Sequence, residues 1–341
     1  MIKGFDKFRA VKPVSVSGAS LVKMSPLREG EDLPLVMEAA SEGVDLSGWA
    51  RGRREEIEAE LLRHGAILFR GFRLGTVAEF EQVVRAVSPD LLDYTERSSP
   101  RSEVRRGIYT STDYPADQSI QFHNEQSYTR AWPMKLWFFC LRAADKGGAT
   151  PLADSRKVLK SLGPQLRERF VSRKVMYVRN YIAHLGLSWE DAFQTTDRTE
   201  VEAHCRKASI DFEWRGGNRL RTRQVFEAIV AHPKTGEPLW FEHAAFFHVS
   251  SLEPAVRDAL LAEYETDDLP FNTYYGDGSP IESSVLSEIR EAYRQAAVRF
   301  PWQEGDVLLI DNMLTSHGRE PYEGPRKIVV AMTDLYSKDI D

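Results

Sequence analysis

Two groups of β-rich segments, at about residues 65–155 and 300–335, flank a mixed stretch at about 156–300. No Pro/Ser/Gly-rich linker separates that middle stretch from the rest, and strands and helices do not alternate regularly. The pattern predicts one α+β domain over residues 1–341, built on a β-sandwich or barrel with a long insert. A doubly wound parallel sheet fits it less well.

The composition, 42% hydrophobic and 28% charged, is that of a folded soluble chain. A net charge of -6 disfavours nonspecific nucleic-acid binding. No run approaches the roughly 18–20 apolar residues that a membrane span needs. Met1–Lys7 lacks the apolar stretch of a secretion signal. Cys140 and Cys205 are too few for a disulfide framework, so a cytoplasmic protein is expected.

Residues 1 to about 50 are broken by Pro13, Pro26 and Pro34. The spacing of Ile57, Leu61 and Leu62 predicts a helix over Arg54–His64, closed by Gly65. Ala66–Phe72 suits a buried strand, and Thr76 caps a helix carrying Phe80, Val83, Val84 and Val87. This helix–strand–helix opening reads as packing for a core that comes later. Strands are predicted at Ile108–Thr112, Ser119–Glu125 and Lys135–Leu141, followed by a turn at Gly147–Pro151 and a cap at Asp154. In the middle, Val175–Val178 and Leu239–Phe241 read as extended, and Val256–Tyr264 and Ser284–Arg299 as helical. The chain ends on strands at Gly305–Asp311 and Arg326–Thr333, with a turn around His317-Gly318.

The chemistry is expected around His123-Asn124-Glu125. On a strand, residues two apart share a face, so His123 and Glu125 reach one metal ion from adjacent positions. That signal is weak alone, because any two polar residues two apart do the same. His317 adds to it if a barrel brings late strands to early ones across its interior. Two histidines and one carboxylate leave three positions of an octahedral ion open, as in non-haem Fe(II) oxygenases. A chelating dicarboxylate and O₂ would fill them. Arg326, with its planar donor fork, and Thr150, with its hydroxyl, suit the far carboxylate of such a co-substrate.

Together Phe122-His123-Asn124-Glu125, Gly147-Gly148-Ala149-Thr150, Asp311-Asn312, His317-Gly318-Arg319-Glu320 and Pro325-Arg326 resemble the taurine dioxygenase-type (TauD/TfdA) family. The resemblance runs from about Gly65 to Thr333. Within the family the chain is more similar to the syringomycin-type branch that hydroxylates amino acids in nonribosomal peptide pathways. The resemblance implies a double-stranded β-helix (jelly-roll) core with flanking helices. It implies His123, Glu125 and His317 as iron ligands, and Thr150 and Arg326 on 2-oxoglutarate. It also implies an O₂-dependent hydroxylation releasing succinate and CO₂, on an amino acid either free or tethered to a carrier protein. Many members carry Asp where this chain has Glu125; related halogenases have a small residue there, so a carboxylate disfavours halogenation. Val330 stands where taurine dioxygenases place a sulfonate-binding arginine, which makes taurine an improbable substrate.

Other residues carry weaker expectations. Tyr109, Ser119 and Gln121 lie near the proposed site in sequence and are candidates to line a substrate pocket. Arg215, Arg219, Arg221 and Arg223 read as a basic loop, solvated or meeting an acidic group, with Arg223 as the candidate substrate contact. His243 and His248 do not have H-E-x-x-H spacing, and their aromatic neighbours point to a core or a pocket wall. The same centre also permits desaturation, cyclisation or epoxidation. A non-catalytic jelly-roll binding protein is the alternative from another class.

Overall fold

A computed structural model describes residues 21–93, 101–111, 114–182 and 185–338. The expectations for Met1–Lys7, for Pro13 and for Thr112 lie outside them. The main sheet has eight strands. Their order is Val22–Pro26, Leu35–Ala39, Ala66–Arg70, Val307–Asp311, Ala131–Arg142, Lys327–Ser337, Ile108–Thr110 and Glu103–Arg105. The Ala131–Arg142 strand pairs antiparallel with Val307–Asp311 on one side and Lys327–Ser337 on the other.

The inner strands Ala66–Arg70, Val307–Asp311 and Ala131–Arg142 read as nearly unbroken apolar runs because both of their faces are covered. Ile67, Phe69, Trp137, Phe139, Val307, Leu309, Val329 and Ala331 join one core with the helices Leu46–Arg51, Arg54–His64 and Val77–Val87. Their alternates, Leu68, Leu136, Phe138, Leu308, Ile310 and Val330, join a second core with Leu152, Phe300 and Trp302. Period-2 alternation thus divides each strand between two interiors. The helix–strand–helix opening is therefore part of the main sheet, since Ala66–Arg70 pairs with Val307–Asp311.

The second sheet is Ala297–Val298, Leu152–Asp154, Thr315–Arg319 and Ile120–His123. It lies against the inner core of the main sheet, where Leu152 packs with Leu136 and Phe138. Two facing sheets built from the two ends of the chain make the jelly-roll core. Here the structure corrects the expected turn at His317-Gly318. Both residues lie within the Thr315–Arg319 strand, and the turn comes earlier. Asp311 Oδ1 accepts from the backbone N–H groups of Met313 and Leu314, each at 3.0 Å, which closes that earlier turn.

The insert builds its own antiparallel sheet, Asp211–Arg215, Arg219–Phe226, Val175–Tyr181 and Phe271–Tyr275. The four arginines expected on a loop lie on its first hairpin. Arg221 is the inward one, buried and bonded to Asn180 Oδ1 at 2.7 Å and to Asp268 Oδ1 at 2.5 Å. The Ser283–Ala296 helix and the minor-sheet residue Ala153 share one apolar core with Val175 and Trp240, so the insert closes one end of the jelly roll.

Candidate metal centre

The Ile120–His123 strand ends at His123, and Glu125 follows in a turn. The two therefore do not converge by strand alternation, as the sequence predicts; the turn aims Glu125. Asn312 holds that turn. Its Oδ1 accepts from Glu125 N–H at 2.7 Å, and its Nδ2 donates to the carbonyls of Glu125 and Pro133 at 2.8 and 2.9 Å. Asn124 Nδ2 returns a bond to Asn312 O at 2.6 Å. All four bonds lie in the buried interior, where a polar group left unpaired is costly.

His317 is not across the barrel from His123. It is the cross-strand partner of His123 in the minor sheet, with ring centroids 4.3 Å apart. Gly318 permits the approach, because a Cβ there would stand 2.7 Å from Ile120 O. One ligand atom each from His123, Glu125 and His317 lies within 4.8 Å of the others, the one such cluster among the described residues.

Burial lowers the pKa of His123 and sets that of His317 well below the ordinary imidazole value; the nearness of His123 and Arg101 lowers His317 further. Both rings are thus neutral at pH 7, as a metal ligand must be. His123 Nδ1 stands 2.9 Å from Gln121 O, which fixes Nδ1 as the protonated nitrogen and leaves Nε2 with a lone pair. His317 Nδ1 is buried with no hydrogen-bond partner among the described residues. Two neutral imidazoles, a carboxylate and an unpartnered ring nitrogen fit a divalent cation.

The cluster opens on a cavity of about 790 Å³. Thr150 and Arg326 both line it. Thr150 Oγ1 accepts from Trp302 Nε1 at 3.0 Å, and Arg326 Nε donates to Gly148 O at 3.0 Å. The Gly-Gly pair before Thr150 is steric in origin, since a Cβ on Gly148 would meet Arg326 Cδ at 3.0 Å. Burial and the neighbouring Arg319 lower the Arg326 guanidinium to about 10, which still leaves it cationic at neutral pH. Ser119 and Gln121 line the same cavity. Tyr109 does not: it packs in the inner core with Phe138 and Val330. Arg223 does not either, because its hairpin places it beside Asp211 and Glu213, at 3.6 and 3.9 Å.

Two features, Arg101 and the clamp of Asn312, escaped the sequence reading. Arg101 Nη2 donates to Glu125 Oε2 at 2.5 Å, with 6% and 4% of the two side chains exposed. No spacing rule links an arginine to a carboxylate 24 residues further on, in a turn. Asn312 belongs to the Asp-Asn pair of the resemblance, but its clamp on Glu125 is visible only in three dimensions. His243, expected in a core or a pocket wall, lines the cavity with its ring 5.7 Å from that of His123 and its Nδ1 2.6 Å from Ser127 Oγ. His248 instead caps the short Val249–Ser251 turn.

A jelly roll presenting two histidines and a carboxylate to a cavity defines the class of non-haem iron oxygenases. Residues 29–332 match the family "Taurine catabolism dioxygenase TauD, TfdA family". The chain belongs to that family and is an Fe(II)- and 2-oxoglutarate-dependent dioxygenase. It is 42% identical over 278 residues to the dapdiamide synthesis protein DdaC of Enterobacter agglomerans, covering 82% of this chain and 84% of that one. It is 28% identical over 292 residues to a clavaminate synthase-like protein of Arabidopsis thaliana, with 82% and 84% covered. Among solved structures, PvcB of Pseudomonas aeruginosa superposes with a TM-score of 0.55 at 15% identity, covering 92% of this chain and 91% of that chain. No helix among the described residues is long and apolar enough to cross a membrane.

Proposed function

We infer that this enzyme hydroxylates an unactivated C–H bond of an amino acid, free or tethered to a carrier protein, in natural-product biosynthesis. His123, Glu125 and His317 hold the iron; Thr150 and Arg326 receive the far carboxylate of 2-oxoglutarate. The observation that carries this reading is the three-residue donor cluster opening on the cavity that Thr150 and Arg326 line. The likeness to a dapdiamide synthesis protein supports the natural-product setting. Residues 1–341 form one oxygenase domain with 156–300 as its insert. It works in the cytoplasm, where the buried thiols of Cys140 and Cys205 stay reduced.

When bound, iron and 2-oxoglutarate supply the oxidising chemistry: one atom of O₂ ends in succinate, the other in the hydroxylated product, and CO₂ is released. The protein's share is position and dryness. The Gln121 carbonyl sets the His123 tautomer, Asn312 sets the backbone of Glu125, and Trp302 orients the Thr150 hydroxyl. Phe138 packs on His317 and Phe246 on His123, at ring separations of 5.1 and 5.0 Å, and both keep water from the ligands. Ser119 and Gln121 stand on the cavity wall as candidate substrate contacts.

Anaerobic addition of 2-oxoglutarate to the Fe(II)-loaded enzyme should give a weak visible charge-transfer band. Protein that binds Fe(II) but gives no band would sink the co-substrate assignment. A succinate-release screen over free amino acids and aminoacyl carrier proteins then identifies the substrate. A product heavier by one oxygen means hydroxylation; a loss of two hydrogens means desaturation or cyclisation at the same centre.

A further inference from the structure

The side chain closest to the carboxylate of the donor cluster is not a metal ligand. Arg101 Nη2 stands 2.5 Å from Glu125 Oε2, and neither side chain is more than 6% exposed. We propose that Arg101 is a positioning residue that holds one oxygen of Glu125 away from the metal and couples metal binding to 2-oxoglutarate binding. The proposal rests on the reading of His123, Glu125 and His317 as the metal ligands.

Two physical effects act in the same direction. First, glutamate has one more methylene than the aspartate common in this family, so its carboxylate has more freedom to turn and grip an ion with both oxygens. A guanidinium donating to Oε2 takes that oxygen out of use and leaves one for the metal. A second Glu125 oxygen on the metal would occupy a position that a chelating co-substrate needs. Second, a fixed positive charge beside the site repels a bare divalent cation and attracts a dianion. Arg101 touches the carboxylate of a cluster whose three donor atoms lie within 4.8 Å of one another, so its charge acts on the whole cluster. Arg101 therefore works against the metal alone and in favour of 2-oxoglutarate once the metal is bound.

The opposite signs give the test. Mn(II) binding is followed by electron paramagnetic resonance, and 2-oxoglutarate binding to the Mn(II)-saturated protein by calorimetry, in wild type, R101Q and R101K. R101Q should bind Mn(II) at least as tightly as wild type, yet 2-oxoglutarate more weakly by roughly 5- to 150-fold, the usual range of coupling between two ligands. R101K, which keeps the charge but not the planar fork, should fall between the two. Thermal melting of R101K shows whether the fold survives the change. Should R101Q lose Mn(II) affinity by about 10–100-fold, as for an ordinary outer partner of a ligand, the coupling role is wrong. Unchanged 2-oxoglutarate affinity in R101Q overturns it as well. Wild-type protein that binds no Mn(II) would remove the metal centre itself and this proposal with it, which separates the two failures.

Discussion

At the scale of single residues, the donor cluster is set as much by the groups that hold His123, Glu125 and His317 as by those three side chains. Asn312 is the clearest case. It makes three hydrogen bonds to the backbone around Glu125 and Pro133, all buried. Asn312→Ala leaves Glu125 N–H and two carbonyls without partners. An expected cost of about 1–3 kcal/mol per stranded group, partly relieved by entering water, makes this a destabilising change. Metal affinity should fall by about 10–100-fold as Glu125 loses its aim. Urea unfolding and Mn(II) titration measure the two effects. An Asn312→Ala protein with wild-type metal affinity would show that the turn holds Glu125 without it.

Secondary-structure elements divide between those that carry ligands and those that support them. The Val77–Val87 helix is a supporting one. Thr76 Oγ1 accepts from Glu79 N–H at 3.2 Å, and the Glu79 carboxylate accepts from Thr76 N–H at 3.0 Å, which forms a capping box. The helix buries Phe80, which stacks on Phe139 of the main sheet with centroids 5.2 Å apart. Thr76→Ala should cost about 0.5–2 kcal/mol of stability by loss of the cap. The denaturation midpoint should drop while affinity for 2-oxoglutarate stays at the wild-type value. A change in that affinity instead would mean that this helix communicates with the site.

On the scale of the whole molecule, burial sets the response to pH. His123, His243, His317 and His248 all have lowered pKa values, with desolvation as the first cause, and that of His248 lies at about 4. Above the ordinary value of 6.5 these rings are neutral whether the chain is folded or not. Below it the unfolded chain takes up protons that the folded chain refuses, so stability falls as pH falls. For His248 the loss is complete near pH 4. Glu242, raised to about 7 by burial, has the opposite sign and loses stability as pH rises between 4.5 and 7. Four histidines outweigh one carboxyl. With a chelator present, the urea midpoint should therefore be lower at pH 5 than at pH 7, and His248→Gln should reduce the difference. A midpoint that rises on acidification would contradict the buried-histidine account.

Much of this molecule was legible from the sequence, because local rules fix local structure. Gly65 ends its helix in the left-handed region at φ +78°, Thr76 caps the next, and the apolar runs 66–70, 131–142 and 307–311 are strands. The order of His123, Glu125, Thr150, His317 and Arg326 marked the family, since chain order and motif spacing survive in the sequence itself. The strands at Val22–Pro26 and Leu35–Ala39 were hidden by Pro26 and Pro34, because Pro26 ends an edge strand and Pro34 stands just before the inner one, where neither breaks a central ladder. Only the tertiary structure decided how the site is assembled. It put His317 beside His123 in one sheet, aimed Glu125 by a turn clamped from Asn312, brought Arg101 onto that carboxylate, and turned Tyr109 and Arg223 away from the cavity. A sequence states which side chains a segment carries and which face of that segment they share. The neighbour that face meets is set by sheet pairing between residues far apart in the chain, and no local pattern encodes it.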